Sequence, residues 1–567
     1  MVDASKVVGQ LLAARQRHNA PLILELDLTE GIVEGPPTDP IAAIQAMRRT
    51  RLSDIVEGLR RAARDPKVIA LVAKVGGGRI ALAQLQEIRD AVKHFGAAGK
   101  PTVAWAESFG ELGGGTLPYY LATAFGRIHL QPSGDVGLTG VAIEERFLHD
   151  TLQKAGVDYQ LTQRHEYKTA ANTFTQTGYT EPHREASGRL AESIAEQVVV
   201  GVAEGRGLPE DGVRRLVDEG PYTAAEALEH GLVDELSYRD EVYGGLRKRF
   251  GDQVRLQYVG RYQRSAGNLA KRLPHPGEQV VALIHATGPI VLGRSHRTPF
   301  SGPVMGADTV AAALRAARRD DRVKAIVLRV DSPGGSYTAS DTIWREVGQA
   351  RAAGKPVVVS MGVVAASGGY FVSMGADAIV AQPGTLTGSI GVLGGKPVIT
   401  ELLGRIGVGT DSVQEGANAR MFSTSLGFTE AEWARLNGWM DRVYEDFTGK
   451  VAAGRGMTRE RAHELARGRV WTGADAVANG LVDELGGVER AADEARKRAG
   501  LPADAPLRSY PKTGPLERLR PPESSEDRTA AAATLRLRAW GPMADLATRL
   551  GLPAHGPLSL PGHWTIT

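Results

Sequence analysis

The chain contains no cysteine, which excludes disulfides, thiolate nucleophiles and cysteine-ligated zinc, and fits a reducing compartment. An excess of either charge is also missing. The 68 Lys and Arg against 65 Asp and Glu leave a formal net charge of +3 over 567 residues, too little to suggest a nucleic-acid partner. Aromatic residues are scarce at 6%, whereas the 69 glycines suit a fold with many tight strand-to-helix turns. Residues 1–21 carry Lys6, Arg15 and Arg17 and no apolar core of signal-peptide length, so export by that route is not expected. The stretch Pro356 to Ala376 has no charge, and about 20 residues would span a bilayer. Its four glycines and three serines (Ser360, Ser367, Ser373) predict instead a buried strand, turn and helix. The expected location is the cytoplasm or the cytoplasmic membrane surface.

What is present is a text written twice. Val68, Val75, Gly99, Lys100 and Pro101 recur as Val323, Val330, Gly354, Lys355 and Pro356 at an offset of 255. Tyr119, Gln131, Pro132, Gly137 and Gly140 recur as Tyr370, Gln382, Pro383, Gly388 and Gly391 at an offset of 251, and Gly231 to Leu236 as Gly480 to Leu485 at 249. A repeat of this length is a whole domain with its own core, not a solenoid unit. Each copy alternates apolar strands (Leu22–Val33, Val68–Val75, Thr102–Trp105; then Val280–Val291, Val323–Val330, Val357–Ser360) with helical patterns. That alternation predicts an α/β fold, two tandem domains with mostly parallel sheets flanked by helices. The expected division is an extension over 1–19, a first repeat over 20–262, a polar linker over 263–278, a second repeat over 279–511 and a tail over 512–567. Within the tail, Thr529 to Gly551 reads as an Arg-bearing amphipathic helix, docked on protein or lying on a membrane surface.

Ala365-Ala-Ser367-Gly368-Gly369-Tyr370 follows a strand and precedes a helical run, which sets a serine hydroxyl at a helix N-terminus. On this pattern alone, a nucleophile and a structural turn fit equally. The comparison between copies separates them. Ser367 faces Thr116, Gly368-Gly369 face Leu117-Pro118, and Gly334-Gly335 face Arg79-Ile80. A purely architectural turn would be kept in both copies. A serine nucleophile needs a base, and no histidine stands between Ser367 and His463, so a Ser-His-Asp triad is disfavoured. A lysine serves when burial lowers its pKa. Lys168 in Glu166-Tyr-Lys168 faces Ala417 at an offset of 249, so one copy keeps the serine and the other the lysine. Lys396, closer in sequence, is the rival base. Neither a P-loop nor a His/Glu ligand cluster appears, so no cofactor or metal is expected.

Asp331-Ser-Pro-Gly-Gly335, Ala366-Ser-Gly-Gly-Tyr370, Thr385-Leu-Thr-Gly-Ser-Ile-Gly391 and Glu166-Tyr-Lys168 together resemble the long, tandem-domain form of bacterial signal peptide peptidase A. These are serine endopeptidases of the Clp protease and crotonase superfamily, and the resemblance covers about residues 20 to 510. It implies Ser367 as nucleophile, Lys168 as general base, Ser389 as the hydroxyl that orients the lysine, and Gly335 and Gly368 as oxyanion amides. It also implies apolar signal-peptide remnants as substrates and a homotetramer. Long members of the family commonly carry an N-terminal membrane anchor, which residues 1–21 do not resemble; peripheral membrane contact is the expectation. The rival readings are a crotonase-like acyl-CoA hydrolase or hydratase, and a peptide-binding scaffold whose sites have decayed.

Overall fold

A computed structural model describes residues 20–34, 50–77, 80–266, 277–298 and 302–510, with the short strands Thr534–Leu535, Leu558–Ser559 and Thr565–Ile566. It divides into two compact units. One comprises residues 1–142 and 194–276, with Thr567. The other comprises residues 143–193 and 277–566. The segment that holds Lys168 thus falls in the unit built mainly from the second repeat.

The first unit is organised on a six-stranded sheet. Its order is Glu235–Leu236, Arg127–Leu130, Thr102–Ala106, Val68–Lys74, Leu22–Asp27, Arg255–Tyr258, and every pairing is parallel. Val68–Lys74 and Thr102–Ala106 are apolar and largely buried, as strands covered by helices on both faces must be. The second unit repeats this plan with Val280–Thr287, Val323–Ser332, Val357–Ala366 and Ala378–Ala381 at the centre, parallel throughout. Val470–Thr472 closes one edge antiparallel to Leu386–Gly388. The uncharged stretch beginning at Pro356 is the strand Val357–Ala366, a turn at Ser367 and the helix Gly368–Ser373. Among the described residues no helix is long and apolar enough to cross a membrane.

The duplication is legible bond by bond. Lys100 Nζ donates to the carbonyls of Ala62 and Asp65 at 2.6 and 2.7 Å; Lys355 donates to those of Ala317 and Asp320 at 2.9 and 2.7 Å. The Tyr119 hydroxyl donates to the Leu232 carbonyl at 2.7 Å, and Tyr370 does the same to Leu481 at 2.9 Å. Arg206 pairs with Asp234 and Arg455 with Asp483. These contacts satisfy groups that a buried helix end or loop would otherwise leave unpaired, so both copies keep them.

Of the amphipathic helix expected over 529–551, Thr534–Leu535 is instead a two-residue strand beside His296–Arg297. The rest of that stretch lies outside the described residues. The linker expected from residue 263 is still helical through Ala266.

Candidate active site

Everything gathered at the site belongs to the second unit. The strand Val357–Ala366 delivers Ser367 to a sharp turn before the helix Gly368–Ser373. Ser367 adopts φ 56 and ψ −112, a left-handed backbone that a non-glycine residue takes up only when its surroundings impose it. Two hydrogen bonds do so here: Ser367 N–H donates to the Gly388 carbonyl at 2.8 Å, and Phe371 N–H donates to the Ser367 carbonyl at 2.9 Å. Thr385 and Thr387 hydroxyls donate to Gly362 and Ala365 carbonyls at 2.8 Å each, tying the Thr385–Gly391 motif to the strand that ends in Ser367.

Lys168 comes from the end of a short excursion. The strand Asp158–Gln163 pairs antiparallel with Leu393–Val398, and the chain then turns into the 3-10 helix Thr169–Ala171. The lysine is 1% exposed. Its Nζ lies 2.9 Å from Ser367 Oγ, 2.9 Å from Ser389 Oγ and 2.9 Å from the Ser389 carbonyl oxygen. Burial alone lowers its pKa, to about 7. Ser389, like Ser367, holds a positive φ, of 50°. Both residues whose hydroxyls meet the amine thus carry a backbone that non-glycine residues rarely adopt.

Gly335 and Gly368 are neighbours. A Cβ on Gly368 would stand 3.1 Å from the Gly335 amide nitrogen and 2.8 Å from Ser340 Oγ. Gly335 itself has φ +153, and a Cβ there would reach 2.2 Å from the Ile290 carbonyl oxygen, so neither position accepts a side chain. Gly368 opens a helix, where the amide has no intrahelical acceptor. An extended segment, Leu558–Ser559, pairs antiparallel with Gly334–Gly335.

The rival base goes elsewhere. Lys396 Nζ donates to the Met421 carbonyl at 2.7 Å and lies over the Phe428 ring. His463 is on the helix Arg459–Leu465 with Nδ1 2.9 Å from the Tyr444 hydroxyl. The counterparts in the other copy have no comparable arrangement: Thr116 Oγ1 accepts from the Thr139 amide at 3.2 Å, and Ala417 is exposed.

The peptidase family S49 model matches residues 94–251 and again 349–502, and a Clp protease model matches 303–383. "Protease 4" of Salmonella typhi is 35% identical over 500 residues, covering 84% of this chain and 78% of that one. The chain belongs to peptidase family S49. "Serine protease SPPA, chloroplastic" of Arabidopsis thaliana is 31% identical over 457 residues, covering 80% of this chain and 66% of that protein. "Protease 4" of Haemophilus influenzae is 31% identical over 481 residues, covering 82% and 75%. This S49 chain is accordingly a serine peptidase with a Clp-like fold. The first family match contains Lys168; the second contains Ser367, Ser389 and the loop behind them.

That loop is what the sequence did not reveal. Ala466 to Arg469 passes close to Lys168 and binds the backbone next to the lysine as well as that of its partner Ser389: Arg467 O accepts from the Tyr167 amide at 3.1 Å, and Arg469 O accepts from the Ser389 amide at 2.7 Å. Its one available signal was Gly468, which faces Glu219 in the other copy.

Proposed function

We propose that this chain is an endopeptidase working through a Ser367–Lys168 dyad, with apolar peptides such as signal-peptide remnants as substrates. The observation that carries the reading is the 2.9 Å approach of a fully buried lysine amine to the Ser367 hydroxyl, to which no histidine is hydrogen-bonded among the described residues. A pKa of about 7 leaves a large share of the amine neutral at physiological pH. A neutral amine has two N–H bonds and one lone pair. The Ser389 carbonyl and hydroxyl oxygens take the two N–H bonds, which turns the lone pair toward Ser367 Oγ–H.

Lys168 then removes the Ser367 proton as Oγ attacks the scissile carbonyl carbon, and the amides of Gly335 and Gly368 receive the oxyanion. Lys168 hands the proton to the departing amine and the acyl-enzyme forms. A water deprotonated by the same lysine releases the acid and restores the serine. The antiparallel lie of Leu558–Ser559 on Gly334–Gly335 supports an extended peptide as ligand, since a sheet edge of this kind reads main chain. The paired glycines admit that main chain without obstruction.

A homo-oligomer belongs to the same reading. The second-repeat segment that corresponds to the Lys168 excursion exposes Ile406, Val413 and Phe422 at 66%, 100% and 69%. In the first repeat the corresponding strand, Asp158–Gln163, is paired; around 407–412 no strand forms among the described residues. A second copy of the chain covering this segment accounts for the exposed apolar side chains.

The test is cleavage of an apolar peptide ester together with labelling by a fluorophosphonate probe. Ser367→Ala and Lys168→Ala should each lose cleavage, Ser367→Ala should lose the label, and both should keep wild-type circular dichroism. Cleavage surviving in either variant would overturn the dyad.

A further inference from the structure

The amine of Lys168 is held by Ser389, but Lys168 and Ser389 are themselves held by the loop Ala466–Arg469. Gly468 N–H donates to the Ile390 carbonyl at 2.8 Å, so the loop is bonded to the backbone of three residues, Tyr167 beside the lysine and the adjacent pair Ser389 and Ile390. Its own backbone is not relaxed. Arg467 adopts φ 53 and Gly468 φ 87, and a left-handed arginine needs something to hold it. Its side chain pairs with Glu166 on the exposed side. On the buried side, its N–H donates to the Tyr444 hydroxyl oxygen at 3.3 Å.

Tyr444 is 7% exposed, stands on the long helix Glu430–Arg455, and places its hydroxyl 2.9 Å from His463 Nδ1. With the Arg467 amide already donating to that oxygen, the tyrosine proton is free for Nδ1. The His165 ring packs 4.5 Å from the Tyr444 ring and 4.8 Å from the His463 ring, closing a three-ring cluster. The charged groups that face the cluster are already matched, Arg164 with Asp441 and Arg467 with Glu166. At the offset of 249, Tyr444, His463 and Gly468 face Ala195, Arg214 and Glu219. The bonds that both copies need are kept in both; this one exists only beside the lysine.

We propose that the Tyr444 hydroxyl, braced by His463, is a positioning residue for Lys168 and Ser389, acting through the backbone of Arg467 to Arg469. The inference rests on Lys168 as the general base and deepens that reading. Loss of the hydroxyl leaves the Arg467 amide without its acceptor, the loop relaxes from its left-handed turn, and water gains access to the lysine amine.

The experiment compares wild type, Tyr444→Phe, His463→Ala, the double variant, His463→Asn and Lys168→Ala on an apolar peptide ester across pH. Tyr444→Phe keeps the ring against His165 and removes one neutral hydrogen bond, so kcat should fall about tenfold with KM nearly unchanged. The acid limb of kcat/KM should move toward higher pH, because a hydrated Lys168 holds its proton more tightly. His463→Ala should reproduce part of this, the double variant should be no worse than Tyr444→Phe, and His463→Asn, which keeps an acceptor near Nδ1, should recover most of the rate. A lowered melting temperature with kcat and the acid limb unmoved would reduce Tyr444 to core packing and overturn the inference, as would additive losses in the double variant. Lys168→Ala separates the two levels: activity surviving there removes the general base itself, whereas an inactive Lys168→Ala beside an unaltered Tyr444→Phe removes only the positioning role.

Discussion

Gly468 stands so close to Lys168 that a Cβ on the glycine would lie 2.3 Å from the lysine backbone nitrogen and 2.4 Å from its Cα. No side chain of any kind fits there, and the backbone of Gly468, at φ +87, is one that L residues rarely adopt. Gly468→Ala should therefore push Lys168 away from Ser367. A displacement on the order of 1 Å at a reacting group costs about 100-fold, and kcat on an apolar peptide ester should drop by at least that much. Labelling of Ser367 by a fluorophosphonate should slow in parallel. A Gly468→Ala protein with undiminished turnover would show that the Lys168 backbone is free to move without consequence.

Ser389 offers the lysine a hydroxyl and a carbonyl, and only the hydroxyl can be removed by mutation. In Ser389→Ala the carbonyl contact at 2.9 Å remains, so the amine stays in its slot with one partner fewer. The expected outcome is a partial loss, about tenfold in kcat, as for one hydrogen bond. Steady-state kinetics on the purified variant decide it; complete inactivity would mean that Ser389 takes part in the bond-making itself.

The lysine also leaves a signature in stability. Burial lowers its pKa from 10.5 unfolded to about 7 folded. Between those values the unfolded chain binds the extra proton, so the contribution of this group to stability rises as pH increases from 7 to 10.5 and levels off above. The integrated difference is on the order of 5 kcal/mol. Denaturant unfolding of wild type and Lys168→Met at several pH values should show the variant more stable near pH 7, with the gap narrowing toward pH 10. A gap independent of pH would mean that the amine is not desolvated. In activity the same titration appears as an acid limb near pH 7, with the rate rising above it as the amine becomes neutral.

The first-repeat counterpart of Ser367 makes a control. Thr116 is buried, and its hydroxyl accepts from the Thr139 amide. Thr116→Ala should cost about 1 kcal/mol of stability and leave peptide-ester cleavage unchanged. Thermal unfolding and kcat measured on one preparation check both halves of the expectation.

The strand Leu558–Ser559 lies antiparallel on Gly334–Gly335. A peptide substrate using that edge must displace it, so a chain ending before residue 552 should show a lower KM for a peptide substrate with kcat little changed. An unaltered KM would assign the substrate to a different edge.

Much of this was readable from the amino acids. The buried parallel strands announce themselves as runs such as Val323-Lys-Ala-Ile-Val-Leu-Arg-Val330, because a strand covered on both faces needs few polar side chains. The pairing of Lys168 with Ser367 emerged from comparing the copies, since bonds such as those of Lys100 and Lys355 persist in both while the serine and the lysine do not. Other features have no local signature. Nothing in Tyr444 or His463 distinguishes a residue that braces a loop from one that fills a core, because the distinction depends on a hydrogen bond to Arg467, 23 residues away from Tyr444. The left-handed backbones of Ser367, Ser389 and Arg467 were equally invisible, because strain at a non-glycine residue is imposed by the tertiary neighbours and not by the residue itself. Thr534–Leu535 shows the opposite failure: helical periodicity around it did not prevent pairing with an available strand edge.

The segment from Ile143 to Ser193 is covalently part of the first repeat yet is packed with the second. A gene cut at the repeat boundary would therefore yield two products, one with an orphan lysine and one with a hollow beside its serine. Neither half then holds a complete proton-transfer pair, so the two repeats form one indivisible functional unit.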